Sequence, residues 1–403
     1  MKPRTPTIAL ASLGFFACSV ASCPRAVQAA HAKHIPQEPV KSGESFEKLR
    51  AQAEKALEAD RIPDAIRLYD RATQLQPDWS EGWWHLGTLL FDANRFAEAR
   101  DAFGRFVKAE QKQPGPGFAM LGLTEFQLKH YERALSALEI GVQKGLGTDP
   151  TFNRSVLYHD GLLNTLFGKP EIAMKRFTLA ADQIAAANPA APKEAALADL
   201  ELMDAFGIAA LRLQKLPSDL DADQLALVRT VGHAQALVAL QDRATAGIEF
   251  KDIVARFGSE PGIHYIYGVF LLKEEPSLAS DEFKKEVALS PSDAAPRIQL
   301  ALGYLRTGEY QEGLRYAKDA TELAPENFVA HVACGRIWME LGNSESAIKE
   351  LQTAVRLAPG SPDAHFALAR ALSKGGRAKE AAREQAEFER LKALADAANQ
   401  GGL

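Results

Sequence analysis

The chain has 403 residues with a formal net charge of −5, 25% charged and 46% hydrophobic. That length exceeds one ordinary compact domain and calls for several domains or one extended repeat array. The composition excludes a disordered chain and a membrane bundle, and acids and bases interspersed under a net negative charge give no electrostatic reason to expect nucleic acid.

Residues 1–29 read as a secretory signal. Lys2 and Arg4 precede an apolar run from Ile8 to Ala21, small residues follow, and no acid occurs. The run has 14 residues, short of the ~20 needed to span a bilayer. Two processing routes stay open. Val27-Gln28-Ala29 satisfies the small-x-small rule of ordinary cleavage, whereas Val20-Ala21-Ser22-Cys23 resembles the lipobox of bacterial lipoproteins and makes Cys23 a candidate lipidation site. Pro24, directly after that cysteine, favours plain cleavage. Either route predicts an exported protein, periplasmic or secreted, touching a membrane only through a lipid anchor. Residues 30–45, with Pro36, Pro39 and Ser42-Gly43, read as a linker. His31 and His34 lie three apart there, and a linker gives them no fixed geometry for a metal.

From Phe46 onward the chain repeats itself. Pro291, Pro325 and Pro359 stand 34 residues apart, one period of two helices and two turns. With that proline at position 32 of each repeat, position 20 is small: Ala65, Ala99, Ala134, Ala173, Ala279, Gly313, Ala347 and Ala381. Four residues later comes a bulky side chain, as at Tyr69, Phe103, Leu138, Phe177, Phe283 and Leu351. A small residue lets two crossing helices approach, and the bulky one a turn later fills the space beside them. Position 8 is also small, at Gly87, Gly122, Gly161, Ala301, Gly335 and Ala369.

These residues resemble the tetratricopeptide-repeat family, with Trp83, Leu86, Gly87, Leu90, Ala99 and Phe103 as the best copy. The resemblance implies an all-α, right-handed superhelical solenoid of antiparallel helix pairs, covering most of residues 46–395. It divides the chain into four repeats over 46–187, a diverged or inserted helical segment over 188–226, about five repeats over 227–395, and a flexible tail over 396–403. The copy at 227–260 is degenerate and carries Ala246, Phe250 and Ile253 at positions 20, 24 and 27. In the irregular segment, Pro192 opens a helix reaching about Leu213, and Pro217 ends the helical geometry. A hinge and a continuous superhelix both remain open there.

No catalytic constellation emerges. Phosphate loops, nucleophile elbows and Cys-x-x-Cys pairs are missing from the sequence, so no enzyme activity, cofactor, metal or small-molecule substrate is expected. Glu194, Asp199, Glu201 and Asp204 crowd the irregular segment without a histidine or cysteine to act with them. His331 and His365 share position 4 of adjacent repeats, where the family often has tryptophan, which implies packing. Cys334, at core position 7, reads as an inert thiol.

The resemblance implies other proteins or peptides as partners, held where positions 2, 5, 9, 12 and 13 of each first helix line a concave face. In the N-terminal repeats these positions include Trp84, Phe91, Leu123, Phe126, Tyr158 and Leu162. That face is an apolar docking site unless neighbouring helices cover it. The C-terminal repeats place Arg306, Arg336, Arg370 and Lys374 there, able to hold carboxylates. The lysine and asparagine pattern of the family's dicarboxylate clamp is absent.

Overall fold

The computed structural model describes residues 45–112 and 114–400. The signal-like segment 1–29, Cys23, His31, His34 and nearly all of the 30–45 linker lie outside the described residues, as do residues 401–403. Among the described residues the chain is all-α, with twenty α-helices, one 3-10 turn at Pro217–Asp219 and no strand. Two units form, one of residues up to 163 with 179–195 and one of residues 164–178 with 196–403.

In the first unit, α1 (Phe46–Glu58) pairs with α2 (Ile62–Leu75), α3 (Ser80–Asp92) with α4 (Phe96–Ala109), and α5 (Gly115–Gln127) with α6 (Tyr131–Lys144). Helices α7 (Pro150–Leu166) and α8 (Pro170–Ala187) are divided between the two units. The repeated residues become the core. Ala65, Ala99 and Ala134 are wholly buried, as are the bulky partners Tyr69, Phe103 and Leu138 one turn on. Gly87 shows why position 8 must be small: a Cβ there would come within 2.7 Å of the Phe103 ring, so no larger residue fits without moving the helix pair apart.

The second unit opens with the irregular segment. The single helix expected between about 190 and 213 is two, α9 (Pro192–Leu197) and α10 (Leu200–Ala210). Asp199 divides them by accepting the Leu202 N–H at 3.0 Å, an N-cap that satisfies one of the donors a new helix leaves open. Helix α11 (Ala222–Ala239), started by a capping box of Asp221 and Gln224, crosses α10 with the backbones almost touching. A Cβ on Gly207 would lie 1.8 Å from the Val228 carbonyl oxygen, and one on Gly232 1.7 Å from that of Met203. Then follow α12 (Arg243–Phe257), α13 (Ile263–Leu271) and α14 (Pro276–Leu289), and after them α15 (Ala294–Thr307) and α16 (Tyr310–Leu323). The array ends with α17 (Phe328–Glu340), α18 (Ser344–Leu357), α19 (Pro362–Lys374) and α20 (Ala378–Gln400). Helix α20 runs five residues past the end near 395 read from the sequence.

All the first helices except α13 stop in one way. Asp60, Asn94, Lys129, Gly168, Arg212, Gln241, Gly308, Gly342 and Gly376 all have positive φ, and the next residue's N–H returns five residues to a helical carbonyl, as in Arg95 to Leu90 and Asn343 to Trp338. This Schellman closure satisfies carbonyls the helix end would leave open. Arg212 belongs to the series, with the Leu213 N–H on the Ile208 carbonyl. Helix α10 therefore ends as a first helix does, yet the next helix, α11, also ends as one, at Gln241. Helix α10 nonetheless packs against α11 as closely as the two helices of a regular repeat pack on each other.

Position 4 shows how side chains hold successive repeats together. Trp83 Nε1 donates to the Pro77 carbonyl at 2.9 Å. His331 Nε2 meets the Pro325 carbonyl at 2.9 Å and His365 Nε2 that of Pro359 at 3.0 Å. A carbonyl only accepts, so Nε2 carries hydrogen in both rings, and histidine does the work of the tryptophan. The other ring nitrogen contacts a carboxylate on the following helix, Glu350 at 2.7 Å and Glu384 at 2.6 Å.

Candidate interaction surface

In an antiparallel pair with a small-residue crossing, the positions not spent on packing are what a partner can reach. In the first unit most of those positions are already occupied. Leu123, Tyr158 and Leu162 are buried, at 6%, 8% and 3% exposure. Trp84 is half-buried, 5.9 Å from the Phe103 ring and 5.2 Å from Phe106. Phe91 packs on Phe96 at 5.3 Å, and Phe126 on His159 at 4.7 Å and Tyr131 at 5.5 Å. The six positions do not combine into one open apolar groove. Their periodicity places them on one helix face, but aromatic rings from neighbouring helices turn toward the same space and bury it.

The second unit differs. Helix α15 packs directly against α17, and α17 against α19, while no comparable contact joins α16 to α18. First helices lie closer together than second helices, so they line the inner side of these three repeats. On that side Arg306, Arg336, Arg370 and Lys374 are all exposed. Arg336 and Arg370 occupy the same register on α17 and α19. Phe366 stands one turn before Arg370, 42% exposed, with the guanidinium 6.0 Å from its ring. Lys374 has a partner that the sequence reading missed, Glu340 at 3.9 Å across the α17 and α19 faces. Glu340 sits at position 13, the register of Arg306 and Lys374, and a charge census of all five groove positions reveals it.

Cys334 is 1% exposed, and burial pushes its thiol up to about 12, with Glu350 adding to the effect. A thiolate is the reactive species. Residues 30–403, whose only thiol is Cys334, should therefore leave an aromatic disulfide reagent unreacted at pH 8 while folded. They should release one equivalent in concentrated urea. Rapid reaction of the folded protein would place the thiol in an open site. No group of three or more metal-ligating side chains occurs among the described residues. No helix there is long and apolar enough to cross a membrane.

Comparison with known proteins adds the family. A profile described as tetratricopeptide repeat matches residues 50–114, 298–362 and 339–393. No curated protein matches the chain. Among solved structures, MamA is similar at 17% identity and a TM-score of 0.37, covering 40% of this chain and 96% of its own. MamA from Desulfovibrio magneticus RS-1 gives 19% and 0.38, covering 42% and 96%. YrrB, a TPR protein with an unusual peptide-binding site, gives 16% and 0.36, covering 43% and 91%. The matched segments contain the buried alanines Ala65, Ala99 and Ala347 and the close glycine crossings at Gly87 and Gly335, and over these segments the chain carries tetratricopeptide repeats.

Proposed function

We propose that this protein is a non-catalytic scaffold of the bacterial cell envelope that holds polypeptide partners on the inner faces of its first helices. One observation carries the reading. The residues that recur in register are consumed by packing and turn closure, whereas the remaining first-helix positions vary along the chain, from half-buried aromatics such as Trp84 and Phe126 to exposed Arg306, Arg336, Arg370 and Lys374. A surface that varies on a constant frame is suited to selecting a partner, and fold alone assigns no activity. The signal-like residues 1–29 support export.

The test is a pull-down from envelope extract with residues 30–403, beside a variant with Trp84→Ala and Phe126→Ala and a second with Arg336→Ala and Arg370→Ala. Both variants are first shown to be folded by circular dichroism. Specific enrichment of one polypeptide, lost from either variant, supports the scaffold and locates the face. Recovery of nothing beyond what a heat-denatured control retains would sink it. A second reading rests on Val20-Ala21-Ser22-Cys23: a lipid-anchored structural subunit of an envelope assembly or secretion machine. Detergent partitioning of the full chain that disappears on Cys23→Ser favours that reading.

A further inference from the structure

Arginines on this chain are mostly neutralised where they stand. Arg50 pairs with Glu54, Arg95 with Glu98, Arg315 with Glu312 and Arg390 with Glu387, each within one helical turn. Single exceptions stand on second helices, at Arg105, Arg133, Arg356 and Arg383, and the inner face of α15, α17 and α19 gathers three more. Arg306, Arg336 and Arg370 are exposed, and none of the three forms an ion pair among the described residues. In a chain of net charge −5, three unpaired guanidiniums on adjacent helices concentrate positive potential against the overall sign. Glu340 does not cancel them, because it is engaged with Lys374.

We infer that this face binds an acidic, extended polypeptide segment whose carboxylates engage Arg336 and Arg370, with an apolar side chain against Phe366. The inference rests on the scaffold reading above and names the partner's chemistry. Spacing supports it. Directly packed helices lie about 8–10 Å apart, so equivalent positions on α17 and α19 are separated by about that distance. An extended chain advances about 3.3 Å per residue, which places matching carboxylates three residues apart. Arg306 lies one turn further along α15, about 6 Å from the Arg336 level, and a third carboxylate reaches it if the segment crosses the helices at a slant. Guanidinium forks bind carboxylates through two parallel hydrogen bonds, which sets orientation as well as charge. Stacking on Phe366 holds the Arg370 fork over the surface and leaves an exposed ring beside it.

The test uses the full chain and a fluorescein-labelled nonapeptide with glutamate at its first, fourth and seventh positions and leucine between them, read by fluorescence anisotropy in 50 mM salt. A second peptide carries glutamine in place of glutamate. The glutamate peptide should bind at least tenfold more tightly than the glutamine peptide and weaken as salt rises. The double variant Arg336→Ala with Arg370→Ala should lose at least tenfold. Arg315→Ala with Arg356→Ala removes the same charge from the exposed surface of the second helices α16 and α18 and should change affinity less than twofold. Equal binding of the two peptides, or equal loss in both double variants, overturns the inference. So does a single-stranded RNA or an anionic vesicle that binds more tightly and with the same dependence on Arg336 and Arg370. If the envelope pull-down yields a polypeptide that the Arg336 and Arg370 variant still captures, the scaffold reading stands and the acidic-segment inference falls.

Discussion

Arg212→Ala should destabilise the second unit by about 3 kcal/mol, the cost typical of removing one member of a largely buried ion pair. Arg212 follows α10, and its guanidinium lies 4.2 Å from the centre of the Tyr265 ring. It grips Asp293, 81 residues away, with Nη1 on Oδ1 at 3.2 Å and Nη2 on Oδ2. Both side chains are about three-quarters shielded from solvent. Burial works against the charge on Arg212, but the bonds to Asp293 outweigh it and raise the guanidinium above its usual value. Asp293 has a second duty, because its Oδ1 accepts the Ala295 N–H at 2.9 Å and so caps α15. Asp293→Ala should therefore cost more than Arg212→Ala, by about the 1 kcal/mol of a lost N-cap. The double variant should cost little beyond Asp293→Ala alone, since the pair is already broken. Arg212→Lys keeps the charge and loses the fork and the stack, and should recover less than half the stability. Urea unfolding followed by far-ultraviolet circular dichroism measures each value. Additive losses in the double variant would show that the two residues stabilise the unit independently.

Packing that repeats in register was legible in the sequence because the same physical demand recurs every 34 residues. Positions 20 and 24 are buried in the interior repeats as read, and Ala381, in the last pair among the described residues, is partly exposed. Gly268 escaped the reading, although a Cβ there would come within 2.6 Å of Phe283, as one on Gly335 would come within 2.5 Å of Leu351. Its repeat is one residue short before the next proline-marked period, which hides the register. Turn closure was half legible: Gly308, Gly342 and Gly376 keep the 34-residue spacing, but the same backbone is adopted by Asp60, Asn94, Lys129 and Gln241, and no common residue type advertises it. The candidate surface was least legible. Whether Tyr158 or Arg336 faces solvent depends on what the adjacent helices place opposite, and a single helix's periodicity reports its face but not its neighbour. Long-range polar contacts such as Arg212 to Asp293 leave no local pattern at all.

The same limit hides Glu286, whose replacement by alanine should cost about 3 kcal/mol. Helix α13 has Gly262 as its N-cap, a residue in left-handed geometry with no side chain to cap the open N–H groups of the first turn. Glu286, 24 residues later on α14 and wholly buried, supplies the cap from outside. Its Oε1 accepts the Gly262 N–H at 2.8 Å and the Ser290 hydroxyl at 2.7 Å, and Oε2 accepts the Tyr265 N–H at 3.2 Å. A negative charge at the positive end of a helix adds to these bonds. Alanine would strand the buried Gly262 N–H and the partly buried Tyr265 N–H and Ser290 hydroxyl, each unsatisfied buried group costing about 1–3 kcal/mol, with partial relief if water enters the space left behind. Glutamine retains one acceptor oxygen for Gly262 and Ser290 but turns an NH2 group toward the Tyr265 N–H, so Glu286→Gln should lose about half as much. Hydrogen exchange separates this account from a general loss of packing. Under the capping account, Glu286→Ala accelerates exchange first at the amides of Gly262 and of the opening turn of α13, with α15 to α20 unchanged. Uniform acceleration across the second unit would instead mean that Glu286 acts on global stability, with no particular hold on the α13 terminus.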